Sequence, residues 1–372
     1  MTLGPLNYRS SAVGQVIREH RKARGLTQKQ LASELGVEAR TLRMYENGER
    51  ALENISDLRR IANLLKIDPV ELGLAASRHQ ISTVAQVQEV VERVAMLIPQ
   101  ACFIEARSTI DTFFRNVIRH ADNNDPAFLR ALAHAYCLAG QTHAITRKTR
   151  ETEHVLHHFQ EMLQIAQTID DQTLLTIALS YQGDLMRRRG EKVQAIILLE
   201  QAGECTPLAN ITARGLNALL LARAYASHED YSGFERAIAN AEALARHSTT
   251  PSPPLPLFSL GFVYEECVAI YAKSGQPEKS QRYLQLAEQA LPANNLCMLL
   301  LKVDRAEMLI YSGDIMQAMP LLIEVAHLAQ MYGHQHLIER LHRLQYYLDD
   351  QSLLMRQASR NLGELLHGRG EY

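Results

Sequence analysis

No run of apolar residues in this 372-residue chain approaches the roughly 18 needed to span a membrane. The first ten residues hold no basic patch followed by an apolar stretch, so no secretory signal is expected and the chain is read as cytoplasmic, with no membrane partner. The five cysteines (Cys102, Cys137, Cys205, Cys267 and Cys297) are odd in number, scattered, and form no C-x-x-C, which fits reduced thiols packed as small hydrophobes. No G-x-x-x-x-G-K-[ST] loop, H-E-x-x-H helix or G-x-S-x-G elbow occurs, and no carboxylate pair stands out. No enzyme activity, cofactor or metal is therefore expected. Glu153, His154, His157 and His158 share a helical face, but that spacing reads as a solvated helix.

What is present is helical periodicity from Val13 onward, punctuated by Gly, Pro and Asn, so the fold class is all-α. The net charge of −2 divides unevenly. Residues 1–75 hold 12 Lys and Arg against 9 Asp and Glu, and the remainder 27 against 32. A mildly basic head on an acidic body suits a chain in which only the head meets phosphates. In the head, short helices are expected over 12–24, 27–35, 38–47 and 55–65, with a fifth from Asp68-Pro69, an N-cap followed by Pro at the first helical position. Gly25 and Gly36 serve as C-caps and Thr27 as an N-cap.

Beyond residue 78 the helices lengthen and pair, and a loose repeat emerges. Leu179, Gly183, Gly190, Ala195, Leu199, Ala202 and Pro207 are echoed in spacing by the unit Tyr264, Val268, Tyr271, Gly275, Ser280, Leu284, Ala287 and Pro292. Weaker copies run from Ala218 to Ala241 and from Ala306 to Val325. A stretched one holds Leu129, Ala133, Tyr136 and Gly140, its second helix displaced to 153–169. The expected domains are a head over 1–75, linker and leading helices over 76–125, repeats over 126–330 and capping helices over 331–372. The capping helices are placed at 335–348 and 351–367.

Three resemblances sharpen this. Leu26-Thr27-Gln28, Leu31-Ala32, Gly36-Val37, Tyr45-Glu46-Asn47-Gly48 and Ile61-Ala62 make the segment from Gly14 to Leu72 similar to the DNA-binding domain of the phage-repressor-like (XRE, Cro/C1-type) helix-turn-helix family. That likeness implies a five-helix domain in which helix 38–47 enters the major groove of double-stranded DNA, pointing Glu38, Ala39, Arg40, Arg43 and Met44 at the bases. It makes Gln28 and Asn47 phosphate contacts, with Lys29 and Arg50 as electrostatic support. Glu38 and Ala39 depart from the short polar residues common there, and Glu38 repels phosphate. So small a domain needs two copies on a palindromic operator, hence a homodimer.

The small-residue spacing over 126–330 resembles the tetratricopeptide repeat, implying an α-solenoid whose first helices line a groove. The family's inward positions are then Arg130 and His134; Ser180, Asp184 and Arg187; Leu219 and Arg223; Phe262 and Glu265; Val303 and Glu307, with Asn217 adjacent as an amide clamp. Such a lining, basic early and acidic late, suits a short peptide whose carboxylate meets Arg187 or Arg223 and whose amine meets Glu265 or Glu307. The architecture resembles the peptide-pheromone receptors of quorum sensing (the RRNPP group). It implies a peptide-sensing transcription regulator; the alternative is a DNA-tethered scaffold for a folded protein partner.

Overall fold

The computed structural model describes residues 5–50, 52, 55–65, 67, 72, 81–117, 125–204, 209–247 and 258–367. The chain is all-α and divides into two compact units, Met1–Gln80 and Ile81–Tyr372.

Four helices are described in the first unit: α1 (Pro5–Ala23), α2 (Gln28–Leu35), α3 (Ala39–Glu46) and α4 (Ile55–Leu65). The first begins seven residues earlier than the periodicity indicated, and the expected fifth, at Asp68, lies outside the described residues. Local chemistry sets the turn. The Thr27 hydroxyl accepts from the Gln30 amide while the Gln30 side chain accepts from the Thr27 amide, a reciprocal cap. At the other end of α2, Gly36 adopts φ 67° and donates back to Ala32 and Ser33, which ends the helix and turns the chain into α3. Ile17, Leu31, Ala32, Leu42, Ile61 and Leu65 form the buried core beneath that turn, and Val37 packs against it half-buried.

The second unit opens with α5 (Val84–Leu97) and α6 (Phe103–Asn116). Five antiparallel pairs follow: α7 (Pro126–Thr146) with α8 (Glu153–Thr168), α9 (Gln172–Arg188) with α10 (Lys192–Glu204), α11 (Ile211–Ser227) with α12 (Tyr231–His247), α13 (Leu260–Lys273) with α14 (Pro277–Ala290), and α15 (Asn295–Tyr311) with α16 (Ile315–Tyr332). Small residues let each pair close. A Cβ on Gly183 would lie 2.6 Å from Leu199, and Ala195, Ala202, Ala222, Ala241, Ala287, Ala306 and Ala318 are buried. Gly190, Gly275 and Gly313 take positive φ in the turns within their pairs, where a Cβ would be strained.

Residues 335–367 form one helix, α17 (Gln335–His367), not two. The expected break at Asp349-Asp350 interrupts the apolar periodicity, but neither residue lacks an amide or needs left-handed backbone, so nothing stops the helix there. Its Glu339 accepts from the Thr149 amide at 3.0 Å and from the Thr149 hydroxyl, 190 residues away. Likewise Leu296 donates to the Pro99 carbonyl at 3.1 Å and Asn295 to that of Gln100. The array therefore turns far enough for its late helices to meet its early ones. Among the described residues no helix is long and apolar enough to cross a membrane.

Candidate functional site

In the first unit, one buried carboxylate fixes α3. Glu46 accepts from Arg21 Nε at 2.5 Å and Arg21 Nη2 at 3.0 Å, and from Gln28 Nε2 at 2.8 Å; Arg18 approaches it at 3.7 Å. Arg21, itself buried, also donates to the Leu26 carbonyl at 2.8 Å. Burial opposes ionisation of Glu46, but the hydrogen bonds from Arg21 and Gln28 outweigh it and hold the carboxyl below its ordinary value. A single side chain thereby ties the C-terminal end of α3 to both α1 and α2. Helices α1 and α3 also approach closely: a Cβ on Gly14 would fall 2.2 Å from the Tyr45 carbonyl oxygen. The outer face of α3 is left exposed, carrying Arg40 and Arg43.

In the second unit a cavity of about 630 Å³ is walled by α9, α11, α13, α15 and α17. Arg187 and Arg188 stand on the α9 side, Arg223 on α11, Glu265 and Glu266 on α13, Asp304 and Glu307 on α15, and Arg340 and Arg343 on α17, interspersed with Phe262, Ile270, Leu300 and Tyr347. Arg223 pairs with Glu266. Arg340 reaches Asp304 at 2.5 Å and both oxygens of Glu307 at 2.6 and 2.7 Å. Burial opposes the charge on Arg340, but these carboxylates hold its guanidinium firmly protonated. His334 accepts from the Leu337 amide at the start of α17, and burial lowers its imidazole to about 4, so it is neutral at pH 7. The volume falls in the ordinary range for small-molecule and peptide pockets.

Residues 17–72 match the Helix-turn-helix family. The N-terminal unit is a helix-turn-helix domain. Its sequence is 39% identical over 69 residues to the uncharacterised HTH-type transcriptional regulator RghRB of Bacillus subtilis strain 168; the match covers 18% of this chain and 49% of that protein, about half of the relative's length. The Rap protein complexed with the competence and sporulation factor is 12% identical with a TM-score of 0.51, covering 93% of this chain and 98% of that one, a likeness of fold. PlcR of Bacillus thuringiensis, solved with the peptide PapR7 and DNA, is 16% identical over 75% of this chain and 96% of its own, TM-score 0.37. The apo competence regulator ComR of Streptococcus vestibularis is 15% identical over 82% and 99%, TM-score 0.39.

Within the helix-turn-helix domain, Glu38, Arg40, Arg43 and Lys29 are exposed, and Met44 is half-exposed. Glu38 takes the N-cap position of α3 without a side-chain cap bond. Ala39 differs from expectation: it packs half-buried on the core beneath the turn instead of pointing at a groove. Gln28 and Asn47 already have partners, Gln28 on Glu46 and Asn47 on Arg18 and Glu49, and Arg50 lies 5.9 Å over the Tyr45 ring.

Of the groove residues, the structure brings Arg187, Arg223, Phe262, Glu265 and Glu307 to the one cavity. It does not bring the others. Arg130 pairs with Asp171 at 3.0 Å, and His134, lowered by burial, lies beside that pair. Asp184 is buried beneath Arg187 and Arg188, which bond it at 2.8 and 2.7 Å. Ser180, Leu219 and Val303 are buried in the packing. Asn217 is not free to clamp a ligand, because its amide donates to Ser180 Oγ at 3.1 Å and to the Leu199 carbonyl at 3.0 Å, joining three helices. Sequence reasoning missed Glu266, Asp304 and the whole α17 wall. The i to i+3 spacing of Asp304 and Glu307, which puts two carboxylates on one face of α15, was the available signal.

On α8, Glu153, His154 and His157 are exposed as expected, and only His158 differs. His158 is not solvated: its Nε2 lies 3.2 Å from His143 Nδ1, His143 Nε2 lies 2.8 Å from Asp111, and burial lowers His158 to about 3. Among the described residues no group of three or more His, Cys, Asp or Glu is placed to hold a metal ion.

Proposed function

We propose that the chain is a sequence-specific, DNA-binding transcription regulator whose repeat domain binds a short signalling peptide. The observation that carries the DNA reading is the exposure of Arg40 and Arg43, whose side chains make no intramolecular hydrogen bond or ion pair among the described residues, on a helix anchored from beneath by Glu46. Exposed arginines on a held helix are suited to bidentate contact with guanine edges in the major groove. Gln28 and Asn47 meet phosphates by exchanging intramolecular partners, and Lys29 and Arg50 add positive potential. Two copies on a palindromic operator supply the affinity one domain lacks, so the working form is a homodimer.

The peptide reading is supported by a cavity that carries charges of both signs on apolar walls and is large enough for several side chains. The Rap likeness, in a structure that holds a competence and sporulation factor, favours the same use of the fold. Arg187 on the α9 side offers a place for a carboxylate, and the α13–α15 side a place for an amine. The test is to titrate full-length protein against short peptides encoded near the gene, reading thermal stability and operator affinity together. Peptides that move both support the reading, and no response to any peptide overturns the ligand half. The scaffold alternative draws on another surface, the exposed Met316, Met319 and Ile323 of α16. Co-purification of a stoichiometric folded partner, lost on replacing Ile323 with Glu, would favour it.

A further inference from the structure

Of the cations lining the cavity, Lys273 and Arg343 are exposed and Arg187 and Arg188 pair with Asp184, so two buried carboxylates are left short of a partner. Glu265, Glu266, Asp304 and Glu307 come from α13 and α15, and only Arg223 of α11 and Arg340 of α17 stand against them in ion pairs. Arg223 is taken by Glu266, and Arg340 by Glu307 and one oxygen of Asp304. That leaves Glu265, 6% exposed, with no bond to a cation, and Asp304 Oδ2, buried on a residue 1% exposed, with no donor within reach other than a protonated Glu265 carboxyl. Both residues line the cavity. A buried acceptor costs free energy until it is matched, and two neighbouring carboxylates in a poorly solvated site do not both ionise without a cation.

We propose that Glu265 and Asp304 form a receptor for a cationic ligand group, an ammonium or a guanidinium, which enters the cavity and displaces to solvent the proton that the two carboxyls otherwise share. Burial first, then Asp304 and Glu266, pushes Glu265 well above the ordinary carboxylate range against Arg223 and Arg340; burial first, then Glu307, pushes Asp304 up to about 6 against Arg340 and the hydrogen bond with Glu265. The charged groups acting most strongly on the pair are Arg223, Glu266, Glu307 and Arg340; Arg187 and Arg188 of α9, Lys273 of α13 and Arg343 of α17 line the same cavity. The inference rests on reading the cavity as a ligand site and adds which charge that ligand must carry there. The cation replaces the proton, so binding is tighter where the free site holds the proton less firmly. Affinity rises with pH by up to about tenfold per unit until the proton is gone from the free protein.

The probe is agmatine, which carries an ammonium and a guanidinium and no carboxylate, titrated into the full chain between about pH 6 and about pH 8. The melting temperature should rise with agmatine, more at the higher pH, and calorimetry in two buffers of different ionisation heat should read release of up to one proton per site. Glu265→Gln keeps the neutral hydrogen-bonding form and so the fold; it should weaken agmatine by at least about tenfold and remove the pH dependence. Asp304→Asn should do the same. No agmatine response in the wild-type chain, an equal response in the Glu265→Gln variant, or affinity independent of pH would each overturn the proposal. Its failure is separable from that of the peptide reading. Peptides that bind equally well with their cationic groups acetylated defeat only the cation receptor, and agmatine binding without any peptide binding defeats only the peptide.

Discussion

Replacing Glu46 with Ala should cost the helix-turn-helix domain more stability than any other single change in its polar residues. The substitution removes three hydrogen bonds, two from Arg21 and one from Gln28, and leaves the buried Arg21 guanidinium bonded only to the Leu26 carbonyl. Breaking a buried pair by removing one partner costs about 3–5 kcal/mol, because the surviving charge stays buried. That is between about two and about three and a half orders of magnitude in the local opening equilibrium. Hydrogen exchange of the full chain, read on amides of α1, α2 and α3, measures this opening without requiring the two units to unfold together. Operator affinity should fall in parallel although Arg40 and Arg43 are intact. The double variant Arg21→Met with Glu46→Leu should recover most of the loss, since apolar replacement of both partners removes the stranded charge. If Glu46→Ala costs less than about 1 kcal/mol, or the two single changes add without coupling, Glu46 is not the anchor of α3.

Gly14→Ala should destabilise the same domain, because its Cβ meets the Tyr45 carbonyl at 2.2 Å, whereas Gly203→Ala in α10, with only Asn217 Oδ1 at 3.5 Å, should be neutral or stabilising by about 0.5–1 kcal/mol; thermal unfolding checks both. Arg40→Ala should cost about 1–3 kcal/mol at its cognate base pair and relax preference there, while Gln28→Ala weakens all operators evenly, as competition binding on operator variants will show. Asn217→Ala should lower the melting temperature of the ligand-free second unit, since the Leu199 carbonyl and Ser180 hydroxyl each lose a buried donor; an unchanged melting temperature would restore it as a candidate ligand clamp. In acid, the Glu46 contribution is fully present above the ordinary glutamate value and is lost as pH falls through the depressed folded value, so exchange protection of α3 should decline in that window.

The helix-turn-helix domain was legible because its determinants are local: the Thr27 cap, the Gly36 turn and the small Ala32 lie within ten residues of one another. The repeats were legible for a related reason, since the requirement for small residues recurs at fixed offsets wherever two helices cross. What escaped the sequence depends on closure of the array. Glu339 meets Thr149 across 190 residues, and no periodicity announces that α17 will supply Arg340 and Arg343 to a wall opposite α9. The inward-facing rule did not separate side chains taken up in the packing, as Asp184 is by Arg187 and Arg188 of its own helix and Asn217 by Ser180 and Leu199, from those that reach the cavity, as Glu265 does. Periodicity also split α17, because a polar pair interrupts an apolar stripe without being able to break a helix.

In the proposed function α3 presents Arg40 and Arg43 to a duplex. Operator affinity of the full chain, measured against salt for wild type and for the Arg40→Ala, Arg43→Ala double variant, tests it most directly. The account predicts wild-type affinity that falls steeply with salt and a double variant that keeps the weak non-specific component but loses operator preference. Equal operator preference in the two proteins, or no salt-sensitive binding to any duplex by the wild-type chain, would contradict it.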